Sequence, residues 1–424
     1  MKPDSGTRNI DPLQAEVDAL VIGGGVVGAS IAYGLARAGD RVRLLDEGDE
    51  AFRAARANFG LVWVQGKGLH HPHYAVWSMA SAAGWGRFAS ELQDLTGMDL
   101  ALEQRGGLSF ALSETELGAR VEHMEKLRAQ LAPLTSHRYP FEVLSAAEAR
   151  ELVPQLGSEV AGAVLCPLDG HVSPLNLLQA LIRGLRLRGA QHCTGVTVTA
   201  IEPLSGGGFR VTTVPSLQGN SAAALRAGEG TDVSGAQAVP AAVAGSAQVH
   251  VCRTLVLAAG LGNRVLAPWV GLEAPVRPNR GQVLVTERLQ PFLNFPTSQV
   301  RQTHEGIVQI GDSAEDVGFD DTTTLPQLAR IADRAVRLFP LLGNVNLIRS
   351  WGGLRVMSAD GFPVYDASSE MPGAFVVNCH SGVTLAAQHA GPLVDWIRGG
   401  PKPAAIAGMG AARFKDGSPI VSSH

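Results

Sequence analysis

The run Ala19, Leu20, Val21, Ile22 is wholly apolar, glycines follow it, and Val27, Ile31 and Leu35 then recur at helical spacing until Gly39. A short apolar run without polar alternation is what a parallel strand buried on both faces requires, and a three-to-four-residue recurrence marks the helix laid against it. A second apolar run over 42–45 completes a predicted strand, tight turn, helix and strand within residues 17–48. The patterning then predicts a helix over 74–95, with Trp77, Ser81, Trp85 and Phe88 in near-helical register. A strand over 106–112 and an amphipathic helix over 115–131 come next. Further strands are predicted at 161–165, 196–201, 209–214, 255–257, 275–286, 308–312 and 375–377. Helices are predicted from within 168–178 to Gly189, over 324–339 and over 385–398. Residues 215–248 break the pattern. Rich in Ala, Gly and Ser and without a period, they read as a flexible surface insertion, with a partner-docking segment as the alternative.

The first unit carries chemistry as well as pattern. Gly23, Gly25 and Gly28 form G-x-G-x-x-G: one glycine for the tight turn, one for backbone approach to a pyrophosphate, one for close helix–strand packing. The helix then starts at Val26 and Val27 with its unpaired N–H groups and partial positive charge toward the phosphates. Asp46, eighteen residues after Gly28 and followed by Glu47, ends the second strand where a carboxylate can accept from both ribose hydroxyls. The spacing predicts a dinucleotide site. A second small-residue turn, Ala258-Ala259-Gly260, follows the strand at 255–257 and lets the backbone approach the same ligand.

At 424 residues the chain exceeds one ordinary core, so two domains are expected. A net charge of −4 offers no basic excess for nucleic acid. Cys166, Cys193, Cys252 and Cys379 are scattered, with no C-x-x-C pair for zinc, an iron–sulfur cluster or a redox dithiol, and read as reduced thiols of a cytoplasmic protein. His70, His71 and His73 lie close together without a nearby acid or cysteine; they read as a solvated loop, and no metal site is expected. Residues 1–18 lack the apolar stretch of a signal peptide, and no apolar run is long enough to span a bilayer; peripheral attachment at the inner face of a membrane through a partner stays open.

The opening unit, the following loop RAARANFG at 53–60, the Ala258-Ala259-Gly260 turn, the segment WGGLRVMSADGFPVY at 351–365, the NCHSGVT stretch at 378–384 and the closing Arg413-Phe414 together resemble the amino-acid oxidase family of FAD-dependent oxidoreductases, which includes glycine oxidase and sarcosine oxidase. The resemblance implies an α/β fold: a Rossmann-like FAD-binding domain of glutathione-reductase type, discontinuous over 15–88, 158–268 and 345–414, with a mostly antiparallel substrate domain over 89–157 and 269–344. It implies non-covalent FAD held by the glycine turn and by Arg53, Asn58, Phe59 and Gly60 of the loop. Val196, the Ala258-Ala259-Gly260 turn and His380, Ser381, Gly382, Val383 and Thr384 complete the set. Where the family has a serine in the loop, this chain has Ala55 and Ala57.

Arg355 follows Gly-Leu where the family binds the substrate carboxylate, and His380 falls at the flavin end; both are the expected catalytic groups. A guanidinium fork clamps a carboxylate in two places and fixes the adjoining Cα–H over the flavin. A structural salt bridge from Arg355 to Asp360 is the competing reading, and Val356 replaces the family's proline. The implied reaction is oxidation of the C–N bond of an amino acid or secondary amine, hydride passing from Cα to flavin and the imine hydrolysing. Within the family, FGLVWVQGKG at 59–68 most resembles the catalytic subunits of opine and D-hydroxyproline dehydrogenases, which pass electrons to partner redox subunits. A self-contained oxidase and a non-catalytic electron relay are the alternatives.

Overall fold

The computed structural model describes residues 16–48, 54–55, 57–135, 139–216 and 247–415. Its organising element is a mixed eight-stranded sheet. Val17–Ile22 lies between Val42–Asp46 and the C-terminal half of Gln248–Leu257, parallel to both. Ala374–Asn378 and Gln191–Thr194 extend the parallel part on either side, and Val364–Ala367 closes one edge antiparallel. The N-terminal half of Gln248–Leu257 pairs antiparallel with Phe209–Pro215, which pairs with Val196–Pro203.

The two-faced burial expected of the apolar runs is borne out. Ala19, Val21, Leu44 and Val256 share one core with Ile31 and Leu35 of the helix Val26–Arg37. Their neighbours Leu20, Ile22, Leu45, Leu255 and Leu257 pack on the opposite face with Val198, Ile201 and Phe209. Side chains alternate across a strand, so a run that is apolar at every position must be covered on both sides.

The remaining sheets are antiparallel. Val300–Gln302, Ile307–Ile310, Val276–Arg288 and Leu347–Ser358 form a four-stranded sheet, covered by Leu325–Leu338 through Ile331, Ala335 and Leu338. Gly107–Ala111, Gly162–Cys166 and Glu142–Ser145 form a three-stranded sheet, and Leu61–Val62 pairs with Gly170–His171. The fold is therefore α/β, a mixed sheet with parallel strands plus antiparallel sheets. Sheet membership crosses the boundaries expected at 157/158 and 344/345. Leu347–Ser358 pairs along its length with Val276–Arg288, and Gly162–Cys166 pairs with Gly107–Ala111.

The helix expected over 385–398 is two short ones, Ala386–Ala390 and Pro392–Ile397. Pro392 has no N–H and pushes Gly391 out of helical dihedrals (φ −116°, ψ −107°), which ends the first. The insertion expected at 215–248 falls mostly on 217–246, outside the described residues, as does Arg53. No helix among the described residues is long and apolar enough to cross a membrane.

Candidate cofactor cleft and adjoining cavity

The three glycines of the first turn do three different things. Gly23 has φ +111°, and a Cβ there would sit 2.4 Å from the Ala258 carbonyl oxygen. At Gly28 a Cβ would lie 1.9 Å from the Gly23 oxygen, so helix and strand meet only because it is absent. Gly25 is the opposite case: a Cβ would meet nothing within 4 Å, because the position borders a cleft. Gly25 also caps the Val26–Arg37 helix without a side-chain hydrogen bond, and no acidic residue occupies the first turn. The first-turn N–H groups have no intrahelical acceptors and suit an anion.

The cleft runs from this turn past Asp46 and Glu47 to Asn58, Val196, Ala258, Ala259 and Gly260, and ends at Asn378, Cys379, His380, Gly382 and Val383. Asp46 accepts N–H bonds from Gly24 (2.6 Å) and Gly48 (2.9 Å), which aims its carboxylate along the cleft wall. Asn263 ties the two halves of the wall together. Its amide donates to the Leu257 carbonyl (3.0 Å) and to Asn378 Oδ1 (2.9 Å), and its Oδ1 accepts from the Ala259 N–H (3.1 Å). Asn263 was not among the expected site residues; its only signal in the sequence is a polar residue just after a buried strand and turn.

A second cavity meets the cleft at His380, which lines both. Trp63, Gly66, Lys67, Glu116, Arg120, His123, Ser298 and Ser381 are among its walls. Lys67 donates from Nζ to Ser381 Oγ (2.6 Å) and Thr384 Oγ1 (3.3 Å), and Tyr74 also donates to Ser381 Oγ (3.0 Å). Trp85 Nε1 and Ser81 Oγ both donate to the Thr384 carbonyl, so the helix Pro72–Thr96 buttresses the His380 turn from behind. Asp169 holds the Lys67 loop, its Oδ1 accepting from the Val64 N–H (2.5 Å) and the Gln65 N–H (3.3 Å); burial pushes this carboxyl up to about 7.

Several expected residues therefore stand off the cleft wall. Ser381 and Thr384 face the Lys67 network. Phe59 is not among the residues lining the cleft: its carbonyl accepts from Arg301 Nη1 (2.5 Å), and Gly60, at φ +81°, leaves no room for a Cβ beside that guanidinium and the Val172 carbonyl. Arg355 lines neither cavity. Its Nη1 donates to the Ser313 carbonyl (2.6 Å) and to Asn279 Oδ1 (3.2 Å). The competing salt bridge is not formed, because Asp360 is held by Arg413 at 2.7 and 3.0 Å. Two residues before Arg355, Gly353 abuts Ala57 of the loop so closely that a Cβ would lie 2.1 Å from the Ala57 methyl.

A model of the family described as FAD dependent oxidoreductase matches residues 18–396. The chain belongs to that family. An opine oxidase subunit from Agrobacterium tumefaciens (strain Ach5) is 43% identical over 400 residues, covering 94% of this chain and 98% of the relative. Hydrogen cyanide synthase subunit HcnC of Pseudomonas aeruginosa is 30% identical, covering 94% and 96%. Glycine oxidase from Geobacillus kaustophilus shares the fold, with a TM-score of 0.74 at 22% identity over 93% of this chain and 98% of that one. The expected membership of the FAD-dependent amino-acid oxidase group is thus borne out, and the residues present fit its cofactor. An uncapped helix N-terminus beside the open Gly25 position suits a pyrophosphate, and Asp46 stands where a ribose acceptor is needed.

For an FAD-dependent oxidoreductase the Lys67 ammonium is the feature least expected from sequence; its only signal is a lysine between two glycines after an apolar run. Both flanking glycines have positive φ, +76° at Gly66 and +92° at Gly68. Burial pushes the ammonium down to about 8 from 10.5. A base whose folded pKa is depressed costs stability fully below that pKa, and the cost vanishes as pH rises to the unfolded value. Lys67→Met is therefore expected to stabilise the apoprotein at pH 7 by up to about 3 kcal/mol, and the gain to shrink between pH 8 and 10.5. Urea denaturation of both proteins across that range measures it; a difference independent of pH would contradict it.

Proposed function

We propose that this chain is the FAD-binding, substrate-oxidising subunit of a heteromeric dehydrogenase acting on the C–N bond of an opine-like amino acid or secondary amine. The observation that carries the reading is 43% identity to a protein named as one subunit of an opine oxidase, over nearly the full length of both. FAD, when bound, supplies the hydride acceptor. The chain's own residues then bind and orient. Arg355, which the family resemblance assigns to the substrate carboxylate, lines neither cavity, and its Nη1 is committed to Ser313 and Asn279, so its clamping role is carried by the resemblance and leaves Nε and Nη2 as the donors for it. His380, where the two cavities meet, marks the place at which the amine carbon faces the cofactor end of the cleft. Enclosure favours the neutral amine, whose lone pair drives hydride departure without a side-chain base.

The cofactor is held without a covalent bond in this reading. Burial pushes the Cys379 thiol on the cleft wall up to about 12, so it carries no thiolate at neutral pH. All four cysteines are free, which suits a reducing cytoplasm.

One anaerobic experiment tests the reading. The purified chain is mixed with D-amino acids, secondary amino acids and opines, and flavin absorbance is followed; acid precipitation afterwards reports whether FAD is released. Bleaching by an opine or secondary amino acid is expected, together with slow peroxide formation in air and fast turnover with an artificial electron acceptor. Rapid peroxide production by the chain alone would overturn the partner-dependent part.

A further inference from the structure

We propose that Lys67 is a positioning residue for the reduced cofactor: anchored to the turn at the far end of the cleft, its ammonium favours the anionic, reduced form of FAD and raises the potential at which the chain draws hydride from a substrate. The inference rests on the FAD-binding reading above, with His380 at the ring end of the cleft.

Lys67 reaches this turn from a distant part of the chain. Its Nζ donates to Ser381 Oγ (2.6 Å) and Thr384 Oγ1 (3.3 Å); Gly382 and Val383, between those two residues, line the cleft, as does His380 just before them. The loop that carries the ammonium is fixed. Gly66 and Gly68 take positive φ on either side of it, the Gly66 N–H donates to the Tyr139 hydroxyl (3.1 Å), and the Gly66 carbonyl lies 2.9 Å from His123 Nε2. The helix that follows the turn, Ala386–Ala390, has only five residues and offers the cleft little dipole, so a full charge on Lys67 is the stronger field at this end. Asp169 acts on the ammonium but does not cancel it. Its Oδ1 accepts from the Val64 and Gln65 N–H groups, and burial pushes the carboxyl up to about 7, so near neutral pH about half of it is uncharged.

Charge balance supplies the second half of the argument. Oxidised flavin is neutral, and a hydride brings two electrons and one proton, so reduction leaves one negative charge on the ring. An enclosed ammonium near that charge is poorly screened and favours the reduced state, which is a higher potential. The same balance predicts a pH signature. Burial holds Lys67 at about 8, and a new anion beside it raises that value. Below pH 8 the ammonium is charged in both redox states and reduction takes up one proton; above pH 8 reduction also reprotonates Lys67 and takes up two. Other ionisable groups surround it: Asp169, Cys379 and His380 on the neighbouring loops, Tyr74 on its helix, and Glu116, Arg120 and His123 on the wall of the second cavity. Removing Lys67 alone separates its titration from theirs.

Two measurements on the FAD-loaded protein test this, with Lys67→Gln, which keeps an N–H donor for Ser381 and removes the charge, and Lys67→Met as the variants. The midpoint potential is measured by anaerobic reduction with xanthine and xanthine oxidase against a reference dye, on both sides of pH 8. The equilibrium constant for reduction is expected to fall about tenfold or more in both variants, which for a two-electron couple is about 30 mV. In the wild type that constant should fall about tenfold per pH unit below pH 8 and about a hundredfold per unit above it, while in K67Q it falls about tenfold per unit throughout. Sulfite, whose adduct with the oxidised ring is anionic, is then titrated and should bind about tenfold more weakly in K67Q. Unchanged potential and sulfite affinity, a bend near pH 8 that survives in K67Q, or loss of FAD from both variants would overturn the assignment while leaving amine oxidation standing. A lowered potential in K67Q, in a protein whose flavin no amine bleaches, would instead sink the amine-oxidising reading and keep Lys67 in this role.

Discussion

Gly25→Leu yields a folded protein that no longer retains FAD. A Cβ at this position meets nothing within 4 Å, so the side chain grows into the cleft without disturbing the core. The pyrophosphate then loses its approach to the first-turn N–H groups. Charge-assisted hydrogen bonds of this kind contribute roughly 1.5–3 kcal/mol each. Losing two weakens FAD binding by at least about a hundredfold. Flavin absorbance of the purified variant and titration of its apoprotein with FAD measure this, and its melting temperature should match that of wild-type apoprotein. Gly28→Leu is the contrast. Its Cβ collides with the Gly23 carbonyl, so stability falls along with binding. If G25L copurified with stoichiometric flavin, the cleft would not be where the cofactor lies.

Arg355→Ala is expected to keep its flavin and lose its substrate. Truncating one partner of an enclosed charge pair costs about 2–5 kcal/mol, so kcat/KM for the reactive amine should fall by about thirtyfold or more. Arg355→Lys should recover little, because an ammonium cannot present two parallel donors to a carboxylate. The bonds from Nη1 to Ser313 and Asn279 give the side chain a structural duty as well. A drop in melting temperature alone therefore does not decide the matter; the half-saturating amine concentration in anaerobic flavin reduction does. A variant that melts earlier but saturates at the wild-type concentration would confine Arg355 to the sheet.

Much of the fold was legible because its signals are local. A run apolar at every position, a glycine spacing and a helical recurrence each lie within a few dozen residues, and each has one steric solution. The Ala258-Ala259-Gly260 turn was legible for the same reason. The break at Gly391 was missed: Pro392 signals it, but the apolar periodicity on either side read as one helix over 385–398. Sheet membership was less so: no strand was expected at Leu347–Ser358, and nothing in its own residues says that Val276–Arg288 is its partner.

By itself the sequence determined that this chain winds a parallel sheet around a dinucleotide turn, with Asp46 at the second strand's end and small residues where the backbone nears the ligand. Only the tertiary structure decided which side chains surround the far end of that cleft. Lys67 and Ser381 are 314 positions apart, Trp63 and Thr384 321 apart, and no local rule links their spacing. Their meeting depends on how the Pro72–Thr96 helix and the Asp169 loop are packed. Packing also turns a surface-type residue such as Lys67 into an enclosed charge, because its environment comes from distant segments and not from its neighbours in the chain.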